Sequence, residues 1–337
     1  MIKIGIIGAG YWGPNLIRNY DEIDTCQLKY VADLREGRLD FVKEKYLDII
    51  CTNDYKDILK DESIDAVVIA TPVATHHKFG IEALKANKHV YIEKPFTASS
   101  LEARELVNLA EEKEKVLMVG HLFKYHPAVL KIKELLDNGV IGDIYYIDAA
   151  RINMGPPESE ANVIWDLAPH DLSIVLYLMG VLPLAVSATG NDFKTDQWKG
   201  LTQASYINLD FPNGSFVTIH NSWISPNKTR RLEIFGSKGV ILYDELSDKK
   251  LTVFGEGIDS RKEGGSQTAT NLAYGTGKME YPEIPNGEPL KMECEHFLDC
   301  IVNNKIPRSD GVDGYNVVNA IEKANSSIAK NGIKLNF

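Results

Sequence analysis

The chain has 337 residues, 44% of them hydrophobic and 25% charged, with a formal net charge of −10. That length exceeds what one core commonly organises, so two domains are expected. The acidic balance argues against nucleic acid or an anionic membrane as a bulk partner, and admits an anionic small molecule only where basic residues cluster.

No apolar run reaches the length of a membrane span. Glycines interrupt the opening "MIKIGIIGAG", and no basic n-region or cleavage site follows, so a strand is expected and not a signal peptide. Cys26, Cys51, Cys294 and Cys300 show no CxxC spacing. A reduced, cytoplasmic protein with buried thiols is the expectation.

In chain order, short apolar strands are expected at residues 3–7, 27–32, 66–70, 89–92 and 116–120, with helices between them such as 75–86 and 99–115. Apolar strands alternating with helices predict a doubly wound parallel sheet covered on both faces. Beyond residue 122 the texture changes. A helix over 126–138 leads into a strand over 143–152, and a second helix runs to about Met179. Strand patterns follow at 185–189, 202–211, 215–223, 230–235 and 240–244, with an Asn-Gly turn in "FPNGSF". Consecutive strands with turns predict an α+β domain with an open, mostly antiparallel sheet. Residues 255–289 read as a long surface loop, and helices near 290–303 and 315–330 close the chain.

The stretch "GIIGAGYWG" places Gly8, Gly10 and Gly13 after a strand and at the mouth of a helix, and Asp33 ends the next strand twenty residues later. This is the context of a dinucleotide fingerprint. Gly8 serves the tight turn, Gly10 the approach of pyrophosphate, and Gly13 the helix–sheet packing. Tyr11 and Trp12 lie in the same turn. Asp33 would accept the adenosine ribose hydroxyls and repel a 2′-phosphate, which favours NAD over NADP, with Arg35 close by. Thr71, Pro72 and His76 in "ATPVATHH" follow the fourth strand and are candidates for the nicotinamide side. His77 reads as an ordinary helix start. The domains are expected at 1–122, an NAD(P)-binding Rossmann domain, and 123–337, a substrate-binding and oligomerisation domain whose last helices can fold back on the first.

Glu93, Lys94 and Pro95 end a buried strand in "HVYIEKPF". The lysine reads equally well as a fixed ammonium beside the cofactor or as a surface lysine paired with Glu93. In "WDLAPHD", Asp166 and His170 stand four apart and share a helix face, while Asp171 lies on another and is expected to cap or pair locally. Three readings stay open. Asp166 is a helix N-cap with Pro169 in the first turn; or the cluster holds a metal, though no third ligand is in view; or His170 is a general base oriented by Asp166.

The fingerprint, "ATP", "EKP" and the Asp-x-x-x-His pair together resemble the glucose-fructose oxidoreductase / inositol dehydrogenase (Gfo/Idh/MocA) family over essentially the whole chain. The resemblance implies an NAD(P)-dependent oxidoreductase with Lys94, Asp166 and His170 in its active site and no metal. His121, with Glu93 and Lys94, joins the cofactor candidates, and Tyr125 in "GHLFKYHP" the substrate candidates. "GAGYWGPNLIRN" and "NVIWDLAPHDLS" are similar to members that oxidise the 3-hydroxyl of UDP-N-acetylglucosamine or its uronic acid. Asn162, Trp165, Arg151, Lys228 and Arg230 are candidate substrate contacts, since arginines suit a diphosphate. With Arg231 they read equally well as sheet charges. The rival readings are a free inositol or aldose dehydrogenase and a non-catalytic NAD-binding regulator. A homodimer or homotetramer through the second domain's sheet is expected.

Overall fold

The computed structural model describes residues 1–156, 161–193, 198–255 and 278–337. The chain divides into two compact units, Met1–His126 with Gly287–Glu322, and Pro127–Asn286 with Lys323–Phe337.

The first unit opens with β1 (Ile2–Ile7), α1 (Gly13–Asp21), β2 (Cys26–Ala32), α2 (Glu36–Lys45), β3 (Ile50–Thr52), α3 (Lys56–Lys60) and β4 (Ala66–Ile69). It continues with α4 (His76–Lys85), β5 (His89–Glu93), α5 (Ser100–Glu112) and β6 (Leu117–Gly120). All six strands pair in parallel in the order β3-β2-β1-β4-β5-β6. The β-branched run of β4 is wholly buried because helices cover both faces of such a sheet. The order reverses between β1 and β4, the switch point at which such sheets open a crevice. The short β3 is an element that the sequence patterns did not announce.

The second unit contains α6 (Pro127–Asp137), β7 (Ile144–Met154), α7 (Val163–Met179), β8 (Ala185–Asn191), β9 (Ala204–Asp210), β10 (Phe216–Ser222) and β11 (Ile224–Gly236). Then come β12 (Gly239–Asp244), β13 (Leu251–Gly255) and β14 (Met279–Glu280). The chain next forms α8 (Pro289–Asn303) in the first unit, α9 (Gly311–Ala329), within which the unit boundary falls, and β15 (Leu335–Asn336). Among the described residues nine strands run β14-β13-β12-β11-β7-β10-β9-β8-β15, with only β10 and β7 parallel. Helix α7 packs on β7, β9 and β10. β11 exceeds its expected span because it continues through Pro226, where the pairing register shifts between Ile224 and Thr229. A proline has no N–H for the ladder, so it sits at such a break. The loop expected over 255–289 contains β14, which pairs back on β13 before it, Glu280 with Val253 and Met279 with Phe254. Its residues 256–277 lie outside the described residues. No helix among the described residues is long and apolar enough to cross a membrane.

Candidate active site

The turn after β1 is built around missing side chains. Gly8 has φ +106°, and a Cβ there would lie 2.5 Å from the Ala70 carbonyl oxygen. A Cβ on Gly13 would collide with the Gly8 carbonyl, so α1 can approach the turn only as glycine. A Cβ on Gly10 would meet only the Arg38 guanidinium, at 3.0 Å. The N-terminus of α1 has no side-chain cap, which leaves its first N–H groups for an anion. Asp33 is fixed beside this turn: Oδ2 accepts from Ala9 N at 2.8 Å and Oδ1 from Arg35 N at 2.9 Å. Arg38 Nη1 stands 3.5 Å from Asp33 Oδ2. These residues fit a dinucleotide, with the glycine cradle and the uncapped helix end for its phosphates and Asp33 for a ribose. Arg38 escaped the sequence reading because only the helical path of α2 brings it back over Gly10. Arg35, exposed, contributes its backbone N–H. Tyr11 is 95% exposed at the tip of the turn.

His76 departs from the expected cofactor-lining role. It is buried, with Nε2 2.7 Å from the Thr71 carbonyl and Nδ1 2.9 Å from the Pro95 carbonyl. The ring braces the segment after β4 against the segment after β5, with its face turned from solvent. Burial lowers its pKa, although both carbonyls favour the charged form. Thr71 is tied to Thr75 by a 2.7 Å hydroxyl contact, and Pro72 is exposed. His77 sits at the helix start, 2.8 Å from Glu105.

Lys94 leaves β5 through a cis Lys94–Pro95 bond. Its backbone N–H donates to Glu93 Oε2 at 3.1 Å. Burial pushes Glu93 up to about 7, while hydrogen bonds from Tyr91, the Lys94 N–H and Trp12, with the Lys94 charge, pull the other way. His121 is buried, and its Nδ1 lies 2.8 Å from Asp313 Oδ2. Lys124, also buried, places Nζ 2.8 Å from Asp313 Oδ1. Burial alone would raise the Asp313 pKa; the His121 bond and the Lys124 charge outweigh it and hold it low. Tyr125 is not placed to meet a substrate: it is buried, and its hydroxyl lies 2.9 Å from Ser309 Oγ.

In the second unit, Asn162 caps α7. Its Oδ1 accepts from Ile164 N at 3.1 Å and Trp165 N at 3.2 Å, and its amide donates to Asn325 Oδ1 at 2.5 Å. This corrects two expectations, since Asp166 is not the N-cap and Asn162 is held by structural bonds. Trp165, Asp166 and His170 are half-buried on α7. Asp166 Oδ2 accepts the indole N–H of Trp223 at 2.9 Å. Trp223 is wholly buried beside Trp198, and a Cβ on Gly155 would lie 2.6 Å from its Cγ.

Asp171 does not cap or pair locally. It reaches Arg151 on β7, whose Nε lies 3.0 and 3.1 Å from its two oxygens, and it also accepts from Asn221 at 3.3 Å. Arg151 is therefore a buried structural arginine, contrary to the substrate role expected of it. Arg230 stands 3.6 Å from Glu245, and Arg231 pairs with Glu233. Of the expected basic cluster, Lys228 is exposed. The arginines are spread along the sheet in acid–base pairs and form no diphosphate cradle.

Residues 2–121 match the model of the oxidoreductase family with an NAD-binding Rossmann fold, and residues 129–242 match the GFO/IDH/MocA C-terminal domain. The chain is 31% identical over 321 residues to UDP-N-acetylglucosamine 3-dehydrogenase of Acidithiobacillus ferrooxidans, covering 95% of each. It is 27% identical over 263 residues to myo-inositol 2-dehydrogenase of Thermotoga maritima, covering 76% of this chain and 79% of that one. A solved structure of the Acidithiobacillus enzyme superposes with a TM-score of 0.82 at 28% identity over 98% of both chains. Levoglucosan dehydrogenase in complex with NADH shares the fold, with a TM-score of 0.84 at 21% identity. With both domain models matched, the chain belongs to the Gfo/Idh/MocA family of NAD-binding oxidoreductases, enzymes that act on CH–OH groups.

Proposed function

We propose that the protein oxidises a secondary hydroxyl of a sugar, the 3-hydroxyl of a UDP-N-acetylhexosamine or its uronic acid. One observation carries the substrate: the chain is 31% identical to UDP-N-acetylglucosamine 3-dehydrogenase over 95% of each, where its inositol dehydrogenase relatives reach 27%. The paired arginines lend it no support. An inositol or aldose substrate is the second reading, favoured by those same inositol dehydrogenase relatives.

Bound NAD would supply the hydride acceptor. The chain's own part is to hold and move a proton. In this reading the Lys94 ammonium donates to the reacting oxygen and stabilises negative charge as it develops. His170 takes the hydroxyl proton near neutral pH. Asp166, itself held by Trp223, orients that imidazole. Gly8, Gly10, Gly13, Asp33 and Arg38 hold the cofactor. A cytoplasmic location belongs to the same reading, since all four cysteines are free thiols. So does self-association through the second unit's sheet.

The test is NAD reduction by the purified protein against UDP-N-acetylglucosamine, its uronic acid, free N-acetylglucosamine, myo-inositol and glucose, with hydroxylamine trapping the ketone. Turnover confined to the UDP-sugars is expected. Turnover on inositol or glucose alone would discard the nucleotide-sugar assignment. Lys94→Ala and His170→Ala are each expected to lower kcat by roughly 10²–10⁴. A functional protein indifferent to both substitutions would be the regulator instead.

A further inference from the structure

The core of the first unit contains a carboxyl group that the chemistry above does not use. Glu293 projects from α8 and is wholly buried. Its Oε2 lies 3.1 Å from the Tyr91 hydroxyl, and its Oε1 has no hydrogen-bond partner among the described residues. The same hydroxyl lies 3.1 Å from Oε1 of Glu93. Tyr91 is also wholly buried, its ring edge-on to Phe297 at 5.8 Å. Gly120, the strand partner of Glu93, leaves room for these groups: a Cβ there would lie 2.7 Å from the Tyr91 hydroxyl and 2.8 Å from Glu93 Oε2.

Proton counting fixes the direction of this chain. A phenol has one proton to donate. Were both glutamates ionised, one of the two 3.1 Å contacts would set lone pair against lone pair. One carboxyl must therefore carry a proton. Glu93 has the Lys94 N–H, the Trp12 side chain and the Lys94 charge to support an anion. Among the described residues Glu293 has the Tyr91 hydroxyl as its one hydrogen-bond partner, in a site where an unpaired charge is costly.

We propose that Glu293 is a positioning residue, a permanently protonated acid that donates to Tyr91 so that Tyr91 donates to Glu93 and holds its carboxylate beside Lys94. The groups facing Glu93 are Tyr91 on its own strand, Lys94, and Trp12 from the turn after β1, with Glu293 of α8 behind Tyr91. Burial and the neighbouring Glu93 charge keep the Glu293 proton in place well above the ordinary carboxyl range. Glu93 itself, raised to about 7, changes charge at neutral pH. Its proton uptake favours the folded state below the ordinary 4.5, and that contribution is lost as pH rises through about 7. Lys94 thereby gains a neighbour whose charge the core adjusts.

The proposal rests on the reading of Lys94 as the group that holds the reacting oxygen, but its tests need neither substrate nor cofactor. Infrared spectra of the protein alone should show a protonated carboxyl band that persists at pH 9 (an arbitrary point well above about 7) and disappears in Glu293→Gln. Trp12 emission should titrate with Glu93, and Glu93→Gln should abolish that transition. Tyr91→Phe removes a donor to the anion and should move the midpoint up by ~1 pH unit. Glu293→Gln can still donate to the phenol and should leave the midpoint in place. Absence of the persistent band, or a Glu293→Gln shift equal to that of Tyr91→Phe, would overturn the proposal. Normal titration with no sugar oxidised would instead leave the chain intact and remove the dehydrogenase reading of Lys94.

Discussion

Arg151 is 4% exposed, and both oxygens of Asp171 lie within 3.1 Å of its Nε. A charge pair so placed is expensive to break, because removing one partner strands the other away from water. Arg151→Met should therefore cost ~3–5 kcal/mol in urea unfolding, and a second change, Asp171→Leu, should restore much of it. A substrate-facing arginine would behave differently: stability would hold and KM would rise. The contrast shows what was legible at this scale. Gly8, Gly13 and Asp33 could be read because their partners are neighbours in a local strand–turn–helix. Arg151, Tyr125 and His121 find theirs 20, 184 and 192 positions away, and no local pattern encodes such a meeting. Residue type alone made the arginine look like a ligand site.

Helix α7 carries Asp166 and His170, so its starting point sets where both stand. Asn162 fixes that start by capping two N–H groups. Asn162→Ala should destabilise the protein by ~1 kcal/mol, and Asn162→Asp, which keeps the acceptor, should not. Fluorescence-monitored denaturation separates the two. Pro169 had suggested a later start, since proline favours the first helical turn. The helix instead begins at Val163 and runs through Pro169. Proline there lacks the N–H that would bond the Trp165 carbonyl. Burial of Val163, Ile164, Leu167, Leu172 and Val175 offsets that loss, and tertiary packing of this kind is invisible in local propensity. The element's existence and its end near Met179 were plain from its apolar run, and Gly180 just beyond takes φ 67°. Strands β13 and β14 were less so. β14 is two residues long, and its pairing partner lies beyond a long intervening segment.

At the scale of the molecule, the alternation of strands and helices carried the fold class. The destination of α8 was hidden, because its amphipathic pattern says that it packs and not on what. Leu290, Cys294 and Phe297 complete the core that Ile4, Leu16 and Tyr20 begin. The second unit leaves one sheet face without a helix among its described residues. Ile147, Val217, Ile234, Ile241 and Val253 point to the core, so their strand neighbours point away from it. Phe216, Tyr146, Phe235, Val240, Phe254 and Met279 are successive cross-strand partners on that opposite face. Tyr146 stacks on Phe216 and Phe235 at 5.3 and 4.2 Å. Asp148, Glu233 and Arg231 flank the stripe, so acids and a base stand on one surface and suit a twofold mate. Soluble monomers rarely expose an apolar band of this extent. A second copy of this chain is the occupant we favour. Phe235→Lys would bury an unpaired ammonium in such an interface. In sedimentation, the wild type should run as a dimer or tetramer and the variant as a monomer, with the thermal melt of the isolated chain little changed. A wild-type monomer, or an assembly indifferent to the lysine, would place self-association on another surface or remove it.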